Sequence, residues 1–179
     1  VELARKSNYS VQAFNSGNLP ALLGINTVSE LCLQEDFLRS RIVHEFLGKG
    51  VVVRNPANVS IGPFVDIEPG AEICGPARIS GKTCIKKGSL IEANTVIEDC
   101  SVRGAAIRSF SHLSGAIVEE NCQVGPFARL RPGTFMSSSA RVGNFVEIKK
   151  SVIGRSSKVN HLSYVGDSEL GHVVTVARE

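Results

Sequence analysis

IGPFVDIEPGAEICGPARISGKTCIKKGSLIEANTVI, residues 61–97, sets Ile61, Ile67, Ile73, Ile79, Ile85, Ile91 and Ile97 six residues apart without a slip. An amphipathic helix repeats its apolar face about every 3.6 residues and a half-buried strand every 2, so neither produces a six. A short strand and a turn, repeated, does. Three such units close a triangular coil of about 18 residues in which the large aliphatics point inward and each coil covers the next. Beyond Ile97 the ladder continues through Val102, Ile107, Leu113, Val118, Val124, Leu130, Met136, Val142, Ile148, Ile153, Val159, Val165, Leu170 and Val176, with some steps of five. Ten of the thirteen isoleucines stand on it, so the period belongs to the bulky side chains that a core needs. Four residues after many rungs sits a small side chain, expected to fill a tight corner: Ala71, Ala77, Thr83, Ser89, Thr95, Ser101, Ala106, Ser111, Cys122, Ala128, Thr134 and Ala140. At about 4.8 Å per coil, residues 61–176 predict roughly six coils and a prism on the order of 30 Å long. The fold class is mainly β, a parallel β-helix preceded by a linker α-helix.

That helix is read over residues 28–47. Thr27 and Glu30 make a capping box, each side chain taking a free backbone N–H at the helix start. Val28, Leu31, Leu38, Ile42 and Phe46 share one apolar stripe, and Gly48 and Gly50 supply the stop. Upstream, Val1–Lys6 reads as the end of a helix, Ser10–Phe14 as a strand and Asn15-Ser16-Gly17-Asn18 as a turn. Residues 1–27 hold too few apolar groups for a core of their own. The chain therefore divides into residues 1–27, a linker segment 28–49 and a repeat domain 50–179.

Composition sets outer bounds. Apolar residues at 42% and charged residues at 21% describe a globular chain and exclude a disordered one. No apolar run exceeds three residues, so none spans a membrane, and no apolar core of a secretion signal is visible at the start. The first residue is Val1, which reads as a processed product or a piece of a longer chain. The net charge of +3 is spread without a basic run, which argues against a dedicated nucleic-acid binder. The five cysteines form no C-x-x-C and are read as buried small hydrophobes in a reducing compartment. His112, His161 and His172 lack the converging spacing of a β-helical zinc site.

Every third rung lies on the same face, so Leu130, Ile148 and Val165 stack one coil apart. Arg131 and Lys149 each follow their rung by one, which makes them outward-pointing neighbours. Two stacked cations about 5 Å apart repel unless an anion sits between them. A phosphate would supply it, with Arg as a planar fork and Lys as a point charge. Taken alone, the two are equally a solvated surface pair. His161 follows Val159 by two and Tyr164 precedes Val165, so both sit at the corner leading onto the Arg131/Lys149 face.

Several stretches are far more specific than the six-residue repeat. Gly50-Val51-Val52-Val53-Arg54-Asn55-Pro56, Val124-Gly125-Pro126-Phe127-Ala128-Arg129-Leu130-Arg131-Pro132-Gly133, Val142-Gly143-Asn144-Phe145-Val146-Glu147-Ile148-Lys149-Lys150 and Lys158-Val159-Asn160-His161-Leu162-Ser163-Tyr164-Val165-Gly166-Asp167 stand in one order. In that order and spacing they resemble the β-helix of the bacterial bifunctional GlmU family, N-acetylglucosamine-1-phosphate uridylyltransferases fused to glucosamine-1-phosphate N-acetyltransferases. Gly24-Ile25-Asn26-Thr27 is similar to the segment closing that family's nucleotidyltransferase domain. The resemblance covers about residue 20 to residue 171. It implies a left-handed helix, a cytoplasmic homotrimer with sites between subunits, and Phe127 and Phe145 as contacts. It also implies acetyl transfer from acetyl-coenzyme A to glucosamine 1-phosphate on the route to UDP-N-acetylglucosamine.

On that resemblance Arg131 and Lys149 clamp the phosphate, Tyr164 contacts the sugar phosphate and His161 is the general base. Acetylating an amine requires its ammonium to lose a proton before attack on the thioester, a task that suits imidazole near neutral pH. Asn26 matches an Asn that helps hold Mg2+ and the sugar nucleotide in the uridylyltransferase half; as a lone residue it is equally a loop Asn beside a helix start. Thr175 stands where the family has a substrate-contacting Asn, and after Gly171 the sequence departs from the family. The resemblance therefore implies residues 1–27 as a remnant of the nucleotidyltransferase domain, an incomplete acetyl-coenzyme A site, and weak binding with poor turnover. The alternative is a β-helix that only trimerises or scaffolds.

Overall fold

The computed structural model describes residues 1–15, 17 and 23–176. It has two compact units, Val1–Phe37 and Leu38–Glu179. In the first, α1 spans Glu2–Lys6, as the sequence reading expects. Residues 10–14 form no strand, and the physical reason is visible in their exposure: Phe14 is 92% exposed and, among the described residues, no neighbouring strand takes up their backbone groups. Gly17 donates its N–H to the side-chain oxygen of Asn15 at 2.9 Å with φ at +70°, while Ser16 and Asn18 of the expected turn lie outside the described residues.

Helix α2 spans Val28–Gly48. Its capping box forms as read. Glu30 N–H donates to Thr27 Oγ1 at 3.1 Å, and Glu30 Oε2 accepts from Thr27 N–H at 2.9 Å and Asn26 N–H at 2.7 Å. Those backbone donors hold the Glu30 carboxyl below its ordinary value. Gly48 is the last helical residue, and Gly50 turns the chain at φ +91°. The expected stripe is only half used. Phe46 and, next to the stripe, Val43 are buried and Ile42 is partly so, whereas Val28, Leu31 and Leu38 are exposed.

From Val52 onward the chain winds into a parallel solenoid of the left-handed β-helix type, about seven turns long. Strands of two to four residues stack into three parallel sheets. The first face contains Val52–Arg54, Glu72–Cys74, Leu90–Ile91, Ala106–Ile107, Gln123–Val124, Arg141–Asn144, Lys158–His161 and Thr175–Val176. The second contains Val59–Ile61, Ala77–Ser80, Thr95–Glu98, His112–Ser114, Arg129–Leu130, Glu147–Lys149 and Tyr164–Gly166. The third runs from Asp66–Ile67 to Glu169–Leu170. All 21 rungs fall in register, each aliphatic opposite the next on its own face. Those from Ile61 to Val165 are buried, and Leu170 and Val176 pack partly buried against them.

Two expectations need correction. The solenoid exceeds six coils because the five-residue steps shorten the coil, so that the 21 rungs, three to a coil, already make seven; Val53, paired with Ile73, is a further rung before them. Its step to Ile61 is widened by a 3-10 turn at Pro56–Asn58. The buried small residue of each corner keeps its distance to the rung ahead of it, standing two residues before that rung. Where a step shortens to five, Cys100 and Ala105 therefore occupy the corner, and the half-exposed Ser101 and Ala106 do not. Corner hydroxyls bond to backbone, as in Thr83 Oγ1 to the Ser80 carbonyl at 2.6 Å and Thr95 Oγ1 to the Glu92 carbonyl at 2.7 Å. The cysteines split accordingly. Cys100 and Cys122 are buried corner residues whose thiols burial pushes up to about 11, Cys74 and Cys84 flank rungs and are half-buried, and Cys32 is exposed.

Candidate active site

Of the site residues read from sequence, Arg131, Lys149, Tyr164 and His161 lie on the second face and the corner that leads onto it, whereas Thr175 and Asn26 do not. Side chains alternate along each short strand, so with Leu130 and Ile148 buried, the residues on either side of each point outward. Leu130 pairs with Ile148 and Ile148 with Val165. Arg131 N–H donates to the Ile148 carbonyl at 2.8 Å, and Lys149 lies opposite Gly166. Arg131, Lys149 and Gly166 are thus one outward column, and Arg129, Glu147 and Tyr164 are its neighbour. The backbone under both cations is pinned from the corner. The buried hydroxyl of Thr134 donates to the Arg131 carbonyl at 2.7 Å, and that of Ser151 to the Lys149 carbonyl at 2.7 Å.

Gly166 opens the end of the column. A Cβ there would collide with the ring of Tyr164, so the phenol lies across the glycine that faces Lys149. Any larger residue would push the ring away from the cations.

The two stacked cations do have anions, and these belong to the chain itself. Arg131 Nη1 contacts Glu147 Oε1 at 3.0 Å, and Lys149 Nζ contacts Asp167 Oδ2 at 3.5 Å. All four side chains keep between 31% and 64% of their exposure, so solvent reaches both pairs. Glu147 lies 16 residues from Arg131, and Asp167 18 residues from Lys149, separations that the ladder predicts for adjacent coils but that a local motif does not display.

His161 ends the first-face strand Lys158–His161, opposite Asn144. Its imidazole is exposed and, among the described residues, has no hydrogen-bond partner. The corner after it is fixed by Ser163 Oγ donating to the His161 carbonyl at 2.8 Å and by Leu162 N–H donating to the Asn144 carbonyl at 3.2 Å. Thr175 lies exposed on the first face, opposite Lys158. Asn26 belongs to the first compact unit, where its N–H donates to Glu30. That carboxylate is already taken by two backbone donors, and no group of three His, Cys, Asp or Glu among the described residues could hold a metal ion. Asn26 by itself does not fit a magnesium site.

Beside the cation column runs an open groove of about 770 Å³, lined by Phe127, Arg129, Phe145, Val146, Glu147, Leu162, Ser163 and Tyr164. It shares Tyr164 and Glu147 with the site but is bordered by Arg129 in place of Arg131 and Lys149. Its wall is a ladder of exposed aromatics that sequence reasoning saw only in part. Phe110 and Phe127 stack at 4.9 Å and Phe127 and Phe145 at 5.3 Å between ring centroids. Leu162 continues the corner. All four hold positive φ, between +47° and +61°, a left-handed conformation that suits Gly or Asn and strains a bulky residue. The missed signal is the spacing of 17 and 18 between Phe110, Phe127 and Phe145, one coil each.

No family model matches the chain. A bifunctional protein GlmU of Nitratidesulfovibrio vulgaris is 43% identical over 172 residues, 96% of this chain and 38% of that protein. The GlmU of Oleidesulfovibrio alaskensis is 42% identical over the same share of the chain and 37% of its own length. The chain thus spans under two fifths of the length of these relatives. Among solved structures, the acetyltransferase domain of PglB from Neisseria gonorrhoeae is 20% identical over 66% of this chain and 58% of that one, with a TM-score of 0.49. Likeness at that level adds nothing to the reading of the site. No helix among the described residues is long and apolar enough to cross a membrane.

Proposed function

We propose, for a chain that belongs to the GlmU family over the 172 residues matched, that its second face is the acceptor side of an acetyl transfer. The donor is acetyl-coenzyme A, the acceptor is the amine of glucosamine 1-phosphate, and the product leads to UDP-N-acetylglucosamine. The observation that carries this reading is the coil register, in which Arg131, Lys149 and the phenol of Tyr164 share one outward patch beside the His161 corner. Arg131 and Lys149 take the phosphate, Arg by two parallel N–H bonds and Lys as a point charge. Tyr164 orients the sugar from above Gly166. His161 accepts the proton that the ammonium must lose; the freed amine attacks the thioester carbonyl, and coenzyme A leaves as the thiol. The exposed imidazole is free to take that proton because nothing among the described residues occupies its nitrogens. Thr175 lies 14 residues beyond His161 on the first face, and its hydroxyl offers one donor and two acceptor positions to the sugar.

The assembly that suits this site is a cytoplasmic homotrimer. Phe110, Phe127 and Phe145 are 46–56% exposed and occupy strained corner positions, a combination that packing against a second copy would compensate. A threefold ring is closed, so such contacts need not propagate into fibres. Residues 1–27 are a remnant of a nucleotidyltransferase domain and residues 28–49 a linker. A solenoid that only trimerises is the weaker reading, since it gives no reason for the Arg131, Lys149 and Tyr164 patch. The experiment is thiol release from acetyl-coenzyme A with glucosamine 1-phosphate as acceptor. Turnover that requires Arg131 and His161 supports acetyl transfer; release that ignores both variants rejects it.

A further inference from the structure

Three pairs of cations stand in register on adjacent coils among the described residues: Lys86 with Arg103, Arg131 with Lys149, and Arg141 with Lys158. The first pair is stitched by Glu68 at 2.9 Å and Glu119 at 2.9 Å on the third face. The second is stitched in the same way by Glu147 at 3.0 Å and Asp167 at 3.5 Å. On the third face no candidate site residue stands beside the carboxylates. On the second they occupy the cations that the acceptor phosphate needs, and Glu147 also lines the adjoining groove.

We infer that Glu147 and Asp167 are built-in counter-ions of the phosphate clamp: they hold Arg131 and Lys149 while the site is empty, and the acceptor's phosphate replaces them. This rests on the phosphate-binding reading of Arg131 and Lys149. Both consequences of the carboxylates act in one direction. A phosphate must break two ion pairs to enter, and once bound it remains near two displaced negative charges. Each therefore weakens acceptor binding and speeds release of the acetylated product. An exposed pair contributes about 0.2–1 kcal/mol, or roughly 1.4- to 5-fold in an equilibrium constant, so the two together set affinity by roughly 2- to 30-fold. They are affinity-setting residues acting through Arg131 and Lys149.

The test separates this from a structural role by sign. A stitch that merely shapes the site loosens it when removed, so melting temperature and affinity fall together. A competing counter-ion gives opposite signs: Glu147→Gln with Asp167→Asn lowers the melting temperature slightly and tightens binding of glucose 1-phosphate, an acceptor analogue without the amine. Calorimetric titration of the whole chain with that sugar phosphate measures it, with the single substitutions read separately should the double variant not fold. Glu119→Gln removes an equivalent stitch on the third face and is expected to leave affinity unchanged. Tightening of roughly 2- to 30-fold in the clamp variants alone is the expected result. Unchanged or weaker binding there, with binding lost in Arg131→Ala/Lys149→Ala, would overturn the inference and leave the clamp intact. Binding that survives Arg131→Ala/Lys149→Ala would overturn the clamp itself, and the inference with it.

Discussion

In the proposed reaction His161 takes the proton alone, since among the described residues its imidazole has no hydrogen-bond partner. Replacing it by Ala is expected to lower turnover by roughly 10²–10⁴-fold while sugar-phosphate affinity stays near the parent's, because the phosphate is assigned to Arg131 and Lys149 on the second face. Steady-state thiol release read alongside sugar-phosphate titration separates the two; an equal loss in both would make His161 a binding residue. Cys100 and Cys122 make a different residue-scale case. Burial raises both thiols to about 11 in the folded chain, above their unfolded value. For an acid whose folded pKa is raised, the unfolded chain ionises first as pH rises. The stabilisation is therefore complete below about pH 9 and is lost between there and pH 11. Melting temperature should fall across that window, and less steeply in Cys100→Ala/Cys122→Ala, whose corners accept Ala as Ala105, Ala116 and Ala128 show. Parallel slopes in the two proteins would refute the assignment.

At the scale of the coil, the core is one column of aliphatics per face, so a single charge has nowhere to go. Ile79→Asp or Ile85→Asp buries an unpaired carboxylate in fully buried positions, at several kcal/mol against a total of about 5–15. Loss of the cooperative far-UV melt is expected; a transition within a few degrees of the parent would contradict the core. The period was legible because bulky Ile recurs at an interval no helix or strand produces. Val53 was not, since the turn at Pro56–Asn58 stretches its step to eight. Ser101 and Ala106 were misplaced because counting forward from a rung fails where a step shortens, whereas Cys100 and Ala105 keep their distance to the rung ahead. The placement of Arg131 and Lys149 on one face, with His161 and Tyr164 at the corner leading onto it, was readable from spacing. Glu147 and Asp167 were not, since their pairing exists only once coils stack. The Phe corner gives a further prediction. Phe127→Asn places a residue that tolerates the left-handed conformation where an exposed ring now sits. The isolated chain should melt no lower than the parent, while sedimentation equilibrium shows weaker self-association. A lower melt with unchanged association would make the ladder part of the monomer's own packing.

At the scale of the molecule, a solenoid turns sequence separation into height, so residues 131, 149 and 164 to 166 become one patch of three coils. The same geometry sets a strand end on the first face, at His161, at the corner leading onto the face that carries the cation column. Everything proposed for the chemistry depends on that patch taking a sugar phosphate. The most direct measurement is calorimetric titration of glucosamine 1-phosphate into the parent chain and into Arg131→Ala/Lys149→Ala and His161→Ala. Saturable binding in the parent, retained in His161→Ala and lost in the double variant, is the predicted result. Equal affinity in the parent and the double variant would contradict the account.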